Sequence, residues 1–120
     1  MSAIAQICDE RARQKTVEGW TPEHDDTHAD GEMLDAAMCY FLRGTDREPS
    51  LRADGCPICW PWDPMWWKPK NKRRDLVRAG ALMQAEIERL QRKGLHVGHV
   101  EHKLNLVVSA LDHLDDEVAA

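Results

Sequence analysis

The chain has 120 residues, enough for one domain with a modest core of its own. Its net charge of −5 argues against a general nucleic-acid binder. No apolar run approaches the roughly 20 residues needed to span a bilayer, and the N-terminus carries no signal-peptide apolar segment, so a soluble, intracellular protein is expected.

In that setting the four cysteines, Cys8, Cys39, Cys56 and Cys59, read as thiols or metal ligands rather than as a disulfide framework. The charge is divided along the chain. Residues 1–35 hold nine acids against three Lys/Arg, whereas residues 67–93 hold nine Lys/Arg against three acids. Opposed charge on two parts of one small chain favours their docking, or head-to-tail association of copies.

The first predicted helix covers about residues 2–16, where Ile4, Ile7 and Ala12 recur at helical spacing. Gly19 and Thr21-Pro22 then open a turn. The second runs over about 30–42, with Asp30 as the N-cap and Met33, Leu34, Ala37, Met38 and Phe41 as an apolar stripe. Residues 44–70 are broken by Gly, Pro, Asp and Ser and form a long irregular loop. Such loops are uncommon in a compact domain unless functional or clamped. The third helix spans about 71–93: Leu76, Gly80, Met83, Ile87 and Leu90 repeat at helical spacing, and Ala79-Gly80-Ala81 lets another helix approach closely. Gly94 ends it. The fourth spans about 98–117, where Val100, Leu104, Val107, Leu111 and Leu114 keep coiled-coil spacing suited to packing on the third helix or on another subunit. With no convincing strand pattern, the fold class is all-α, a single four-helix domain.

Four of the five tryptophans, Trp60, Trp62, Trp66 and Trp67, fall within eight residues of the loop, interleaved with Pro61, Pro64 and Pro69. Proline removes backbone donors and fixes φ, so this stretch is neither regular helix nor central strand. Indoles need packing surface and a partner for the N–H. The segment is either a plug sealing a small core or one wall of a site for a flat ligand.

Three further clusters carry potential chemistry. Glu23-His24-Asp25-Asp26-Thr27-His28 is dense in metal-capable groups, with His24 and His28 as candidate ligands. Its plainer reading is a solvated acidic turn that caps the second helix and pairs with the basic third. Cys56-Pro57-Ile58-Cys59 has the spacing of half a zinc site; no second CxxC or HxxxH follows it, so the other two ligands would come from Cys8, Cys39 or a histidine, and free thiols are the plainer reading, while no βαβ pattern marks it as a redox pair. Lys68-Pro69-Lys70-Asn71-Lys72-Arg73-Arg74 places basic residues at a helix N-terminus, where they oppose the macrodipole. Phosphate binding and a solvated face are the two readings. No Gly-rich phosphate loop, G-x-S-x-G elbow or HExxH occurs.

Several segments taken together carry a resemblance: Glu10-Arg11-x-x-Gln14, Gly19-Trp20-Thr21-x-Glu23-His24-Asp25-Asp26-x-His28, Gly31-Glu32, Trp60-Pro61-Trp62-Asp63, Trp66-Trp67-Lys68-Pro69, and Arg73-Arg74-Asp75-Leu76-Val77-x-Ala79-Gly80-Ala81-Leu82. Over roughly residues 9–90 the chain resembles a group of small tailed-phage and prophage proteins. More distantly it is similar to the Thoeris anti-defence sponge family, helical phage proteins that sequester cyclic ADP-ribose-type signals, and to the all-α MazG-type nucleotide pyrophosphohydrolases, which bind magnesium through acidic pairs on two helices. The resemblance implies a MazG-like bundle acting in the host cytoplasm.

The chain departs from the enzymes. Glu32-x-x-Asp35 is present, but the matching helix begins Arg73-Arg74-Asp75-Leu76-Val77-Arg78, one carboxylate among three arginines. Two-metal hydrolysis needs about four convergent carboxylates, whereas arginines receive phosphates directly. The expected function is therefore a non-catalytic binder of a nucleotide-derived small molecule, an anti-defence sponge for a cyclic nucleotide or cyclic ADP-ribose-type immune signal. Trp20, Trp60, Trp62, Trp66 and Trp67 would stack on a base, Arg11, Lys68, Arg73 and Arg74 would hold phosphates, and Asp63 or Glu32 would accept from ribose hydroxyls. A homo-oligomer through the fourth helix is expected, and no cofactor is required. Zinc at Cys56 and Cys59, and magnesium, are the candidate ions. The alternatives are a magnesium-dependent pyrophosphohydrolase of MazG type, and a protein–protein inhibitor of a host factor.

Overall fold

A computed structural model describes the chain from Ser2 to Ala119, with side chains through Leu114. Five helices follow one another: α1 (Ala3–Thr16), the single turn α2 (Pro22–Asp25), α3 (Glu32–Leu42), α4 (Lys72–Arg92) and α5 (Gly98–Ala119). The described residues contain no strand; one isolated bridge pairs Leu51 with Pro57. The fold is all-α. Among the described residues no helix is long and apolar enough to cross a membrane.

Helix α4 is the axis, and α1, α3 and α5 each pack against it. Asn71 caps it by accepting from the Arg74 N–H at 2.9 Å. Its Leu76, Leu82 and Met83 are essentially inaccessible, and burying each contributes about 1.5–3 kcal/mol. Helix α1, capped by Ser2, crosses α4 at Gly80: a Cβ there would sit 2.6 Å from Ile7 Cδ1. The absence of a side chain lets the two helices meet.

Helix α5 lays Val100, Val107 and Leu111 into the core, all three fully buried. The stripe expected to serve either α4 or a second copy is thus largely covered within the chain, with Leu104 and Leu114 partly buried; Leu106, off the stripe, is nearly half exposed.

Helix α3 starts two residues later than its sequence suggests. Gly31, at φ 82°, takes the cap position without a side-chain bond, and Asp30 instead donates its N–H to Glu32 Oε1 at 2.7 Å. Only a residue tolerating the left-handed region makes that entry readily. The turn α2 escaped the periodicity argument because four residues carry no period. Thr21 caps it and Pro22 fills its first position.

The long loop is clamped. Its two ends meet where Arg43 Nη1 donates to the Lys70 carbonyl at 2.9 Å and to Asp75 Oδ2 at 3.0 Å. Lys72 Nζ donates to the Phe41 and Arg43 carbonyls at 3.1 and 3.2 Å, closing the end of α3. Farther along, the Arg52 N–H donates to the Cys56 carbonyl and the Ile58 N–H to the Ser50 carbonyl. Asp63 then caps a 3-10 turn over Pro64–Trp66.

Candidate ligand-binding pocket

The clamped loop and the turn that carries α2 face each other across a cavity of about 780 Å³. That size lies within the range of small-molecule sites. Its walls come from α1, the α2 turn, α3, the loop and α4.

The walls are joined by one aromatic belt. Tyr40 on α3 meets Trp60 edge-on at 5.6 Å, and Trp60 meets Trp62 edge-on at 5.4 Å. Trp62 then contacts Trp20 at 6.0 Å and His28 at 5.2 Å. His28 abuts His24 at 4.9 Å, and His24 lies within 4° of parallel to Trp20. Trp67 backs Tyr40 and Trp60 at 4.7 and 5.0 Å without lining the cavity. Tilted and edge-to-face contacts of this kind add about 0.5–1.5 kcal/mol each beyond simple burial. The indoles divide by exposure: Trp60 is 9% exposed and Trp66 57%. The segment is therefore both plug and wall.

Two cations of the lining lie against aromatic rings. The Lys68 ammonium lies 5.5 Å from the Trp66 ring centre, and Arg78 sits over Tyr40 at 5.7 Å while donating to the Lys68 carbonyl. Neither pairs with a carboxylate among the described residues. Arg13, the third cation of the lining, is neutralised by Glu10 at 2.7 Å and Glu18 at 2.8 Å.

The floor is held by a buried ion network. Arg11, 4% exposed, donates to Asp25 Oδ2 at 2.5 Å, to Glu88 Oε1 at 3.2 Å and to the Trp20 carbonyl at 3.2 Å, so one guanidinium ties α1 to the α2 turn and to α4. Burial pushes the Asp25 carboxyl above its ordinary 3.8 against the pull of Arg11. Burial also opposes ionisation of Glu10, yet bonds from Arg13 and Arg74 hold it below its ordinary 4.5. Burial pushes the Tyr40 phenol up, with Arg78 opposing.

Of the residues the sequence singled out, Trp20, His24, His28, Trp60, Trp62, Asp63, Trp66 and Lys68 line the cavity. Arg11 lies beneath it, engaged as described. Glu32 stands behind, its Oε2 bonded to His28 Nδ1 at 2.9 Å. Arg73 and Arg74 line a separate, shallower hollow with Gln6, Asn71 and Val77, and Arg74 donates to Glu10 at 2.8 Å. Arg13, Gln14, Tyr40 and Arg78 join the lining unforeseen. Part of that was legible, since Glu10, Arg13, Gln14 and Val17 share one face of α1 at helical spacing.

The acidic turn pairs with the basic helix as its plainer reading has it: Arg92 on α4 meets Asp26 at 2.8 Å. Among the described residues no three His, Cys, Asp or Glu side chains converge on a point suited to a metal ion. His24 and His28 meet edge-on within the belt, the Cys56 thiol contacts the Pro57 carbonyl, and Cys59 turns toward Cys39. Asp75, the carboxylate at the start of α4, is fully buried and accepts from Arg43 and the Lys70 N–H.

Two polar atoms of lining side chains lack partners, Gln14 Oε1 and Trp62 Nε1. Each such orphan costs about 1–3 kcal/mol.

No family model, no curated protein and no solved structure matches this chain.

Proposed function

We propose that the protein is a non-catalytic binder of a small anionic heteroaromatic molecule, a nucleotide-type ligand held in the aromatic cavity. The observation that carries this is the meeting, on one concave surface, of a continuous aromatic belt with Lys68 and Arg78. A base would lie against Trp62, Trp20 or Trp66, where stacking is worth roughly 1–3 kcal/mol. Its phosphates would reach Lys68 and Arg78, which pair with no carboxylate among the described residues.

The phosphate role thereby stays with Lys68 and passes from Arg11, Arg73 and Arg74 to Arg78. Sequestration is the favoured activity because the carboxylates near the cavity have structural duties: Glu10 and Asp25 hold arginines, and Glu32 holds His28. In this reading the bundle is a MazG-like one in which arginine-rich contacts take the place of a metal cluster, and the biological ligand is a phage-countered immune signal.

The test is a melting-temperature panel with ATP, cyclic ADP-ribose isomers, and cyclic di- and trinucleotides. A binder present at about a hundredfold its Kd stabilises by about 2.7 kcal/mol, a rise on the order of 10 °C for a chain of this size. A ligand that raises the wild-type melting point and fails with Lys68→Glu supports the proposal. A panel that leaves the wild type unmoved overturns it.

A further inference from the structure

The Cys39 and Cys59 sulfurs lie 3.4 Å apart, in contact, although 20 positions separate them in the chain. Cys39 is buried on α3, and Cys59 is exposed on the loop. Their neighbours meet as well, for Tyr40 and Trp60 are in edge-on ring contact at 5.6 Å. Two consecutive residues of α3 therefore touch two consecutive residues of the loop. The CxxC spacing had drawn attention to Cys56 and Cys59 instead, but the buried Cys56 thiol points to the Pro57 carbonyl at 3.7 Å. Cys8 stands apart on α1, exposed.

We propose that Cys39 and Cys59 are a thiol–disulfide pair which, oxidised by a low-molecular-weight disulfide, closes a covalent staple between α3 and the tryptophan loop. Exposure sets the order of events. The Cys59 thiolate attacks the oxidant's sulfur–sulfur bond, forms a mixed disulfide and releases one small thiolate, which takes up the proton Cys59 gave up. The Cys39 thiolate then attacks the Cys59 sulfur, displaces the second small thiolate and passes it the remaining proton. Two protein thiols become one disulfide, and one small disulfide becomes two small thiols. Burial and the adjacent Cys59 push the Cys39 thiol up and shrink its thiolate fraction, which leaves it the second step, where contact with the Cys59 sulfur offsets that loss.

The staple would sit one residue before Trp60, fixing the belt onto α3 at the point where the loop enters the cavity wall. It locks a wall already in place rather than building one. This inference stands independently of what the cavity binds.

The test uses the full chain equilibrated in glutathione and glutathione disulfide over a range of ratios, then alkylated and mapped by mass spectrometry. The expected product has lost two alkylatable thiols, carries a Cys39–Cys59 crosslinked peptide, and melts higher by on the order of 10 °C, as closing a loop of this length predicts. Cys8→Ser and Cys56→Ser should give the same crosslink. Cys39→Ser should leave Cys59 carrying glutathione. A Cys56–Cys59 crosslink, or wild-type protein that accumulates glutathione on Cys59 without closing, overturns the proposal.

Discussion

Gly80 and Ile7 occupy a contact with no room for one more carbon: a methyl group on Gly80 would lie 2.6 Å from Ile7 Cδ1 and 2.8 Å from its Cγ1. Replacing glycine by alanine in a helix interior ordinarily stabilises by up to about 1 kcal/mol. Here the colliding atoms belong to a β-branched side chain with little χ1 freedom, in a packed interface. Overpacking of this kind costs about 1–3 kcal/mol, so the steric effect wins.

Gly80→Ala should therefore destabilise by about 1–2 kcal/mol, the difference between those opposing effects. The same change in an Ile7→Ala background should cost less, or stabilise, because the clash has gone. Urea unfolding of the four members of that cycle measures the coupling. Strict additivity would show that α1 does not cross α4 at this point.

Arg11→Ala should be among the most damaging substitutions in the chain. It strands Asp25, 1% exposed, without its counter-ion, and breaking a buried pair in this way costs about 3–5 kcal/mol. Replacing both partners, Arg11→Met with Asp25→Leu, should recover most of the loss, since no uncompensated charge then remains. Equilibrium unfolding of the single and double variants decides it.

Stability should fall on acidification through Glu10. Its folded-state pKa lies below 4.5, so near and below that pH the unfolded chain takes up more protons than the folded one. The stabilising contribution is complete above 4.5 and is lost as pH falls toward the depressed folded value. Glu88, held low by Gln84, Arg11 and Lys15 against its burial, adds to the same slope. Glu10→Gln should lower stability at neutral pH and flatten the pH dependence below the ordinary 4.5. A slope unchanged in the variant would remove Glu10 from the account.

Trp62→Ala should separate the cavity from the core. Trp62 is half-buried and its indole N–H has no partner, so its loss forfeits packing but no hydrogen bond. Nucleotide affinity should drop by about 1–3 kcal/mol, the worth of one stacking surface. Trp67→Ala, which removes a ring behind the wall, should act mainly on the unfolding midpoint. Titration calorimetry alongside denaturant unfolding distinguishes the two variants.

The regular helices were legible because their apolar residues keep a 3.6-residue period, and α4 carries that period most clearly. Its Gly80 signalled a close helix crossing correctly. The turn α2 and the Gly31 entry to α3 were not legible, since both depend on local cap geometry rather than on a repeating pattern. For the cavity, residue type pointed to the indoles and imidazoles, which are rare and bulky. It could not assign the arginines. Arg11, Arg13, Arg74 and Arg78 look alike in a sequence, and only the carboxylates brought near them in space distinguish a strut from a free cation. Cys59 follows a similar logic: the CxxC spacing puts Cys56 near it along the chain, while the fold brings the Cys39 sulfur into contact with it.

The aromatic belt has an optical consequence. With Trp60 set 5.4 Å from Trp62 and 5.0 Å from Trp67, and Trp20 6.0 Å from Trp62, light absorbed by one indole is shared with its neighbours. The emission spectrum and near-ultraviolet circular dichroism of this chain should behave as one coupled chromophore centred on the cavity. Disturbing any one ring would then change the signal of all of them, so the protein carries its own reporter without a label.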